Sequence, residues 1–213
     1  LKTSLAALAI IVVVGTPAAY MLATREFRGR SVVMTLIELP LVLPPAVAGI
    51  ALLACFGPKG LFGSAIEDAG IALVLQTAGV IVALTFVAAP FYLRQAQEAF
   101  AAVDRNLLDA ARTLGASEAR AFARVAVPCA GQGITAGLAL AWGRALGEFG
   151  ATLMFAGSFP GITQTVPLAI FARFSSDFTS ALALSSVLVI VSAALLLSVK
   201  LLGRSPLLGG RPT

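Results

Sequence analysis

The sequence predicts an all-α polytopic membrane protein with about five transmembrane helices and one short helix outside the bilayer. Composition supplies two reasons. Of its 213 residues, 59% are hydrophobic and only 12% charged, where a soluble domain carries about a quarter charged residues. Mean hydropathy is +0.96. Pattern supplies the third: apolar runs near the ~20 residues that cross a bilayer recur along the chain.

Composition also excludes. The chain has no histidine, which removes histidine triads, histidine metal sites and histidine proton relays together. No catalytic or metal-ligating constellation is expected. The two cysteines, Cys55 and Cys129, fall near opposite membrane faces of the predicted topology. That argues against an intrachain disulfide and for small buried hydrophobes. The net charge of +5 fits basic residues flanking membrane helices. No basic stripe interleaves with aromatics, so no nucleic-acid partner is expected.

The first span covers about Leu5–Ala23 and is closed by Arg25, Arg28 and Arg30. The second, about Val32–Phe56, is interrupted by Pro40, Pro44 and Pro45. A polar loop, GPKGLFGSAIEDAG, leads to a third span at about Ile71–Leu93, with Pro90 near its end. A charged segment runs over Arg94–Arg124. The fourth span is about Val125–Gly150. The stretch AGSFPGITQTVP and then FARFSSDF separate it from a fifth span at about Ala181–Leu202. A single transmembrane domain, residues 1–213, accounts for all of this.

Basic residues set the orientation. One set of loops holds Arg25, Arg28, Arg30, Arg94, Arg105, Arg112, Arg120, Arg124, Lys200, Arg204 and Arg211; the other holds Lys2, Lys59 and Arg173. The richer set is expected on the cytoplasmic side. Five spans then put Leu1 outside and Thr213 inside. The chain opens with Leu rather than Met, and a sixth helix upstream would put both termini inside.

Within the charged segment, at about residues 95–124, Asp104 is an N-cap candidate and Asn106 to Ser117 reads as a short helix. Leu107, Ala111 and Leu114 recur at i, i+4 and i+7, with Leu108 and Ala110 beside them. Gly115 supplies the stop, and Ser117 can cap the next helix. Two readings stand for this stripe: a docking helix for another protein, or an amphipathic helix in the lipid interface.

The fourth span carries Arg144 and Glu148, four apart and able to pair. At ~100° per residue, Gly133, Gly137, Ala141, Arg144, Glu148 and Ala151 fall near one line. A charge near a helix centre costs about 2.5–3.5 kcal/mol even on a lenient scale. That face therefore looks into protein or into a water-filled path, and the ion pair either pins helices or lines the path. Gly133/Gly137 and Gly143/Gly147 form two GxxxG pairs. Glu38 precedes LPLVLPPAVAG, where Pro44 and Pro45 break the backbone ladder against a cavity or as a kink. Thr163, Gln164 and Thr165 form either an ordinary polar loop or neutral donors toward an anion.

DAARTLGAS, with Phe122 and Val125–Pro128, resembles the EAA signature of ABC-importer permease subunits. Asp109, Ala110, Ala111, Gly115 and Pro128 match. Asp109 stands where Glu is commoner, and Val127 where Leu is usual. The resemblance implies a type I ABC-importer permease fold in which the short helix, Leu114 included, is a coupling helix. It would dock on a separate ATP-hydrolysing subunit. No GxxxxGK[ST] loop occurs here: the lysines are Lys2, Lys59 and Lys200, none preceded by glycine. GQGITAG at Gly131–Gly137 follows no strand and is discounted as a dinucleotide loop. The chain is thus expected to be no enzyme and to bind no cofactor, with ATP and Mg on the partner.

LPLVLPPAVAGIALL, ARTLGAS, RALGEFGATLMFAG and TQTVPLAIF together are similar to molybdate permease subunits, to which tungstate and sulfate/thiosulfate permeases are related. That resemblance covers Lys2 to about Leu202. It implies a homodimer in a bacterial or archaeal cell membrane, two cytoplasmic ATPases, and an extracytoplasmic oxyanion-binding protein. Pro44, Pro45, Gly137, Arg144 and Glu148 are the residues expected along the path or its gate.

Overall fold

A computed structural model describes residues 1–203, with side chains to Ser198. Arg204, Arg211, the side chain of Lys200 and the C-terminus, all of which bear on orientation, lie outside the described residues. The described residues are helical with no strand. Helices close their own backbone hydrogen bonds, which a chain in lipid requires.

Among the described residues, three helices are long and apolar enough to cross a bilayer: α1 (Lys2–Thr24), α5 (Thr77–Ala101) and α12, which spans Phe178–Gly203. α5 is the hub. α1 packs along one side of it and α9 (Gly131–Leu146) along another. Their shared core holds Ala7, Ile11, Val80, Leu84, Ala88, Tyr92, Ala96, Ala141 and Ala145. Small residues dominate because helix association in lipid rests on close van der Waals approach, not on expulsion of water. Tyr92 is fully buried and hydrogen-bonds through its hydroxyl to Thr16 of α1. Trp142 Nε1–H donates to Ser4 Oγ at 3.3 Å, tying α9 to α1. α12 is only 11% buried along its apolar stretch, so most of its surface faces outward. It packs on α9 and on α11 (Val166–Phe174).

The second expected span is not one helix. It divides into α2 (Arg30–Val42) and α3 (Pro45–Phe56), with Leu43 and Pro44 extended between them. Each of these two residues precedes a proline, and the ring of a following proline expels its neighbour from the helical region. The third span starts later and ends later than expected. After the short α4 (Gly63–Asp68), residues 71–76 stay out of helix, although Leu73 and Val74 pack on a second core around Phe155. An apolar run does not distinguish a buried loop from a helix start. At the other end α5 continues through Arg94 to Ala101, because RQAQEAFA is rich in helix formers.

The fourth span is also broken. Glu118–Ala121 forms α7, a π turn covers Phe122–Ala126, and Val127–Cys129 forms α8. This run meets α9 at a bend of 74°. Pro128 lacks an N–H and crowds the carbonyl four residues back, which the wider π turn relieves. α10 (Gly150–Ala156) then turns away and packs on α3 and α5. Cys55 is half-buried, but Cys129 is exposed, not the small buried hydrophobe expected.

Candidate functional site: the α6 turn and the crossing of two broken spans

α6 (Arg105–Thr113) is built by local chemistry. Asp104 Oδ1 accepts from Asn106 N–H at 2.9 Å and caps its start. Gly115, at φ +85°, ends it in a left-handed residue that L side chains avoid. The stop is doubly bonded: Gly115 N–H donates to Arg112 O at 2.9 Å, and Ala116 N–H to Ala111 O at 3.0 Å. The helix therefore ends at Thr113, earlier than Ser117.

α6 has two faces. Leu108 is buried and Ala111 half-buried against the main core. Leu107, Ala110 and Gly115 are exposed, and Leu114 stands 88% exposed at the tip. A Cβ added at Gly115 would meet nothing within 4 Å. The apolar stripe of the sequence is thus divided, with Leu108 anchoring inward and Leu107 and Leu114 projecting outward. Asp109 is exposed and pairs with Arg112, Nη1 to Oδ1, at 2.8 Å. Arg112 also reaches across the turn to Glu118, a contact that helical spacing rules do not anticipate. Hydrogen bonds to Glu118 first, and to Asp109 second, raise the Arg112 pKa above its ordinary value. Pro128 is exposed, three helical segments further along.

The second site lies where the broken spans cross. Pro45, at the start of α3, meets Gly150, at the start of α10. A Cβ on Gly150 would sit 2.6 Å from Pro45 Cβ and 3.0 Å from Ala46 N. Gly49 reciprocates: its Cβ would lie 2.7 Å from Ala151 O and 2.7 Å from Met154 Cβ. Two glycines thus let the helices touch backbone to backbone. Glu148 sits in the link between α9 and α10, past the end of the helix in which the sequence placed it. It is only 1% exposed. Its Oε1 accepts from Ala151 N–H at 2.7 Å, and its Oε2 lies 2.7 Å from Arg144 Nη2. That second contact is an ion pair without a well-directed hydrogen bond to Oε2.

Pro44, Pro45, Arg144 and Glu148, read separately along the sequence, therefore belong to one neighbourhood. Gly137 belongs elsewhere. It is buried against Tyr92 and Gln95 of α5, where a Cβ would lie 3.0 Å from Gln95 Cβ. Gly133 likewise meets Ala99. The small-residue line of α9 looks into protein, and Gly137 borders no open surface. Glu38 has a partner on α5: Arg94 Nη1 lies 3.6 Å from its Oε1, and both are partly exposed. Sequence reasoning misses that pair. It also misses Gly49 and Gly150, whose only signal is their place beside Pro45 and Glu148.

Residues 11–205 match the model of a family described as binding-protein-dependent transport system inner membrane component. The chain belongs to this family. It is 44% identical over 200 residues to the molybdenum transport system permease protein ModB of Mycobacterium tuberculosis, covering 93% of this chain and 75% of that one. It is 42% identical over 198 residues to a probable molybdenum ABC transporter permease protein of Haloferax volcanii, covering 92% and 71%. The sulfate transport system permease protein CysT of Salmonella typhimurium is 35% identical over 191 residues, covering 89% and 69%. The fold is shared with solved ABC importers. A bacterial ABC transporter importing the acidic polysaccharide alginate gives a TM-score of 0.71 at 17% identity, covering 95% of this chain and 77% of that one. The MetNI methionine transporter gives 0.71 at 18% identity, covering 95% and 90%. The chain is a multi-pass membrane permease subunit.

Proposed function

We propose that this chain is the transmembrane subunit of an ATP-driven importer of an oxyanion, with molybdate as its cargo. The observation that carries the cargo is the 44% identity to a permease named for molybdenum transport, extending over 93% of the chain. Sulfate is the alternative, favoured by the related sulfate permease at 35% identity. Tungstate chemistry is close enough to molybdate to belong in the same test. A self-sufficient secondary transporter is the remaining rival, and the outward-facing α6 turn argues against it.

The proposed assembly is a homodimer of this chain with two cytoplasmic ATPase subunits and an extracytoplasmic oxyanion-binding protein. ATP and Mg reside on the ATPases, so hydrolysis is the partner's chemistry. The α6 turn would sit on the cytoplasmic side with the C-terminus, following the bias of basic residues. Asp109, Ala110, Leu114 and Gly115 form the docking knob, Ala111 seats it on the core, and Pro128 lies on the route from that knob to α9. ATP binding would bring two knobs together and tilt the broken spans. Pro44, Pro45, Arg144 and Glu148 would then mark the gate, where short helices can move as units. Gly137 holds α9 to α5.

The test is ATP-driven uptake in proteoliposomes containing the chain, its ATPase and its binding protein, with molybdate, tungstate and sulfate in competition. Molybdate uptake that ignores excess sulfate is expected. Sulfate uptake sinks the cargo assignment. Uptake by the chain alone, without ATPase, sinks the coupled mechanism.

A further inference from the structure

We propose that Arg112 is a positioning residue that locks the angle between α6 and α7, so that force on the α6 turn reaches α9 without being absorbed in the turn. This rests on the reading of the α6 turn as the ATPase contact.

Arg112 uses all three guanidinium nitrogens. Nε–H donates to Glu118 Oε1 at 2.7 Å and Nη2–H to Glu118 Oε2 at 3.0 Å. Nη1–H donates to Asp109 Oδ1 at 2.8 Å. The two bonds to Glu118 form a planar fork, which fixes orientation as well as distance. Asp109 on the previous turn of α6 holds the guanidinium from the other side. Arg112 belongs to α6 and Glu118 is the first residue of α7, so the fork spans the whole left-handed turn.

Leu108 and Ala111 pack α6 onto the core that also holds Ala121 and Ala126, and the fork is the polar restraint added to that packing. The remaining local restraints are weak. α7 is only four residues long, and Ser117 supplies no side-chain cap. The main-chain bonds from Gly115 and Ala116 close α6 on itself and do not reach α7. Beyond α7 the chain passes through the π turn and Pro128 to α9. A push on Leu114 tilts α6. With the fork intact, α7 follows; without it, only the packing of Leu108 and Ala111 couples the two, and rotation at Ala116 and Ser117 absorbs part of the displacement. All three side chains are well exposed, and exposed ion pairs contribute little to net stability. The effect of removing the fork is therefore read in transmission and not in folding.

The experiment uses the reconstituted complex with ATPase and binding protein and counts molybdate moved per ATP hydrolysed. The variants are Arg112→Ala, Glu118→Ala, the double variant, and Arg112→Lys. Each single alanine variant is expected to insert, co-purify with the ATPase and hydrolyse ATP. Transport per ATP falls by about three- to ten-fold, inside the range of residues that modulate coupling between sites. The double variant falls no further, because the two share one interaction. Lysine keeps the charge but not the fork and recovers less than half of the loss. Raising salt drives the native protein toward the variants, since exposed pairs are screened.

Additive losses, full recovery with lysine, or unchanged transport per ATP overturns the lock. Loss of co-purification in Arg112→Ala also overturns it, because Arg112 is then a contact residue. Gly115→Glu separates the two readings. If it abolishes co-purification while Arg112→Ala transports normally, only the lock fails. If Gly115→Glu transports normally, the docking reading itself fails.

Discussion

The α6 turn and the α3–α10 crossing both depend on glycine, for opposite reasons. Gly115 sits in open space and is required by its backbone angle; nothing lies within 4 Å of a Cβ there. Gly150 has no unusual backbone angle and is required by its neighbours, with Pro45 Cβ at 2.6 Å from a Cβ. One region is exposed and set by local rules. The other is buried and set by what packs on it. The same residue type therefore predicts different failures: a change at the turn should alter what the protein touches, and a change at the crossing should alter whether it assembles.

The largest effect is expected at Glu148. It is buried, caps the start of α10 through Ala151 N–H, and neutralises Arg144. Removing one member of a buried pair costs about 3–5 kcal/mol, and Arg144, at 27% exposure, moves this toward the low end. Glu148→Ala should lower the yield of folded protein in detergent and abolish uptake. Glu148→Gln retains an acceptor for Ala151 and should lose less. Equal losses would show that charge alone matters there; no loss in either would remove Glu148 from the proposed gate.

Next comes the glycine comparison. Gly150→Ala forces a backbone shift against Pro45, and overpacking of this kind costs about 1–3 kcal/mol. Gly115→Ala meets no neighbour and suffers only the left-handed backbone penalty, about 1–2 kcal/mol. Asparagine sharpens the contrast, because it tolerates the left-handed region. Gly115→Asn should be near native in thermal stability, while Gly150→Asn should be worse than Gly150→Ala. A tolerant Gly150 and an intolerant Gly115 would invert the assignment of reasons.

The same division explains what is legible in the sequence. Asp104 and Gly115 are local signals: α6 starts where Asp104 places it and ends at Thr113, before Gly115 and short of the expected Ser117. The Arg112–Glu118 fork belongs to the same short segment but crosses a turn, where i, i+4 reasoning stops. Prolines mark the second span as interrupted, whereas the fourth reads as continuous and its break between α9 and α10 carries no proline. That this break meets the start of α3 is tertiary, and Gly49 and Gly150 record it. Sequence reasoning ends α5 too early, because Arg94 has the look of an exit from lipid. Its guanidinium instead lies near Glu38 of α2, and the helix formers after it carry the helix on. Gly137 aligns with Arg144 on one helical line, but periodicity cannot say what a line faces. Here it faces α5.

The smallest effect is expected at a third, wholly local device, the start of α12. Ser180 N–H donates to Asp177 Oδ1 at 3.0 Å, and the Ser180 hydroxyl donates to Oδ2. The hydroxyl bond first, and the N–H bond second, hold the Asp177 carboxyl below its ordinary value of 3.8. A depressed carboxyl contributes stability above its unfolded value and loses that contribution as pH falls through the folded one. The cap should therefore persist at pH values near 3.8 and disappear only below. Asp177→Asn keeps an acceptor without the charge, so its cap does not titrate. The difference in thermal midpoint between native protein and Asp177→Asn should be small near neutral pH and vanish on acidification below 3.8. A difference that grows as pH falls would reverse the sign of the shift. Asp177 is exposed and its charge is screened by salt, so the difference should also shrink in concentrated salt. The Glu148 effect, buried at the crossing, should not.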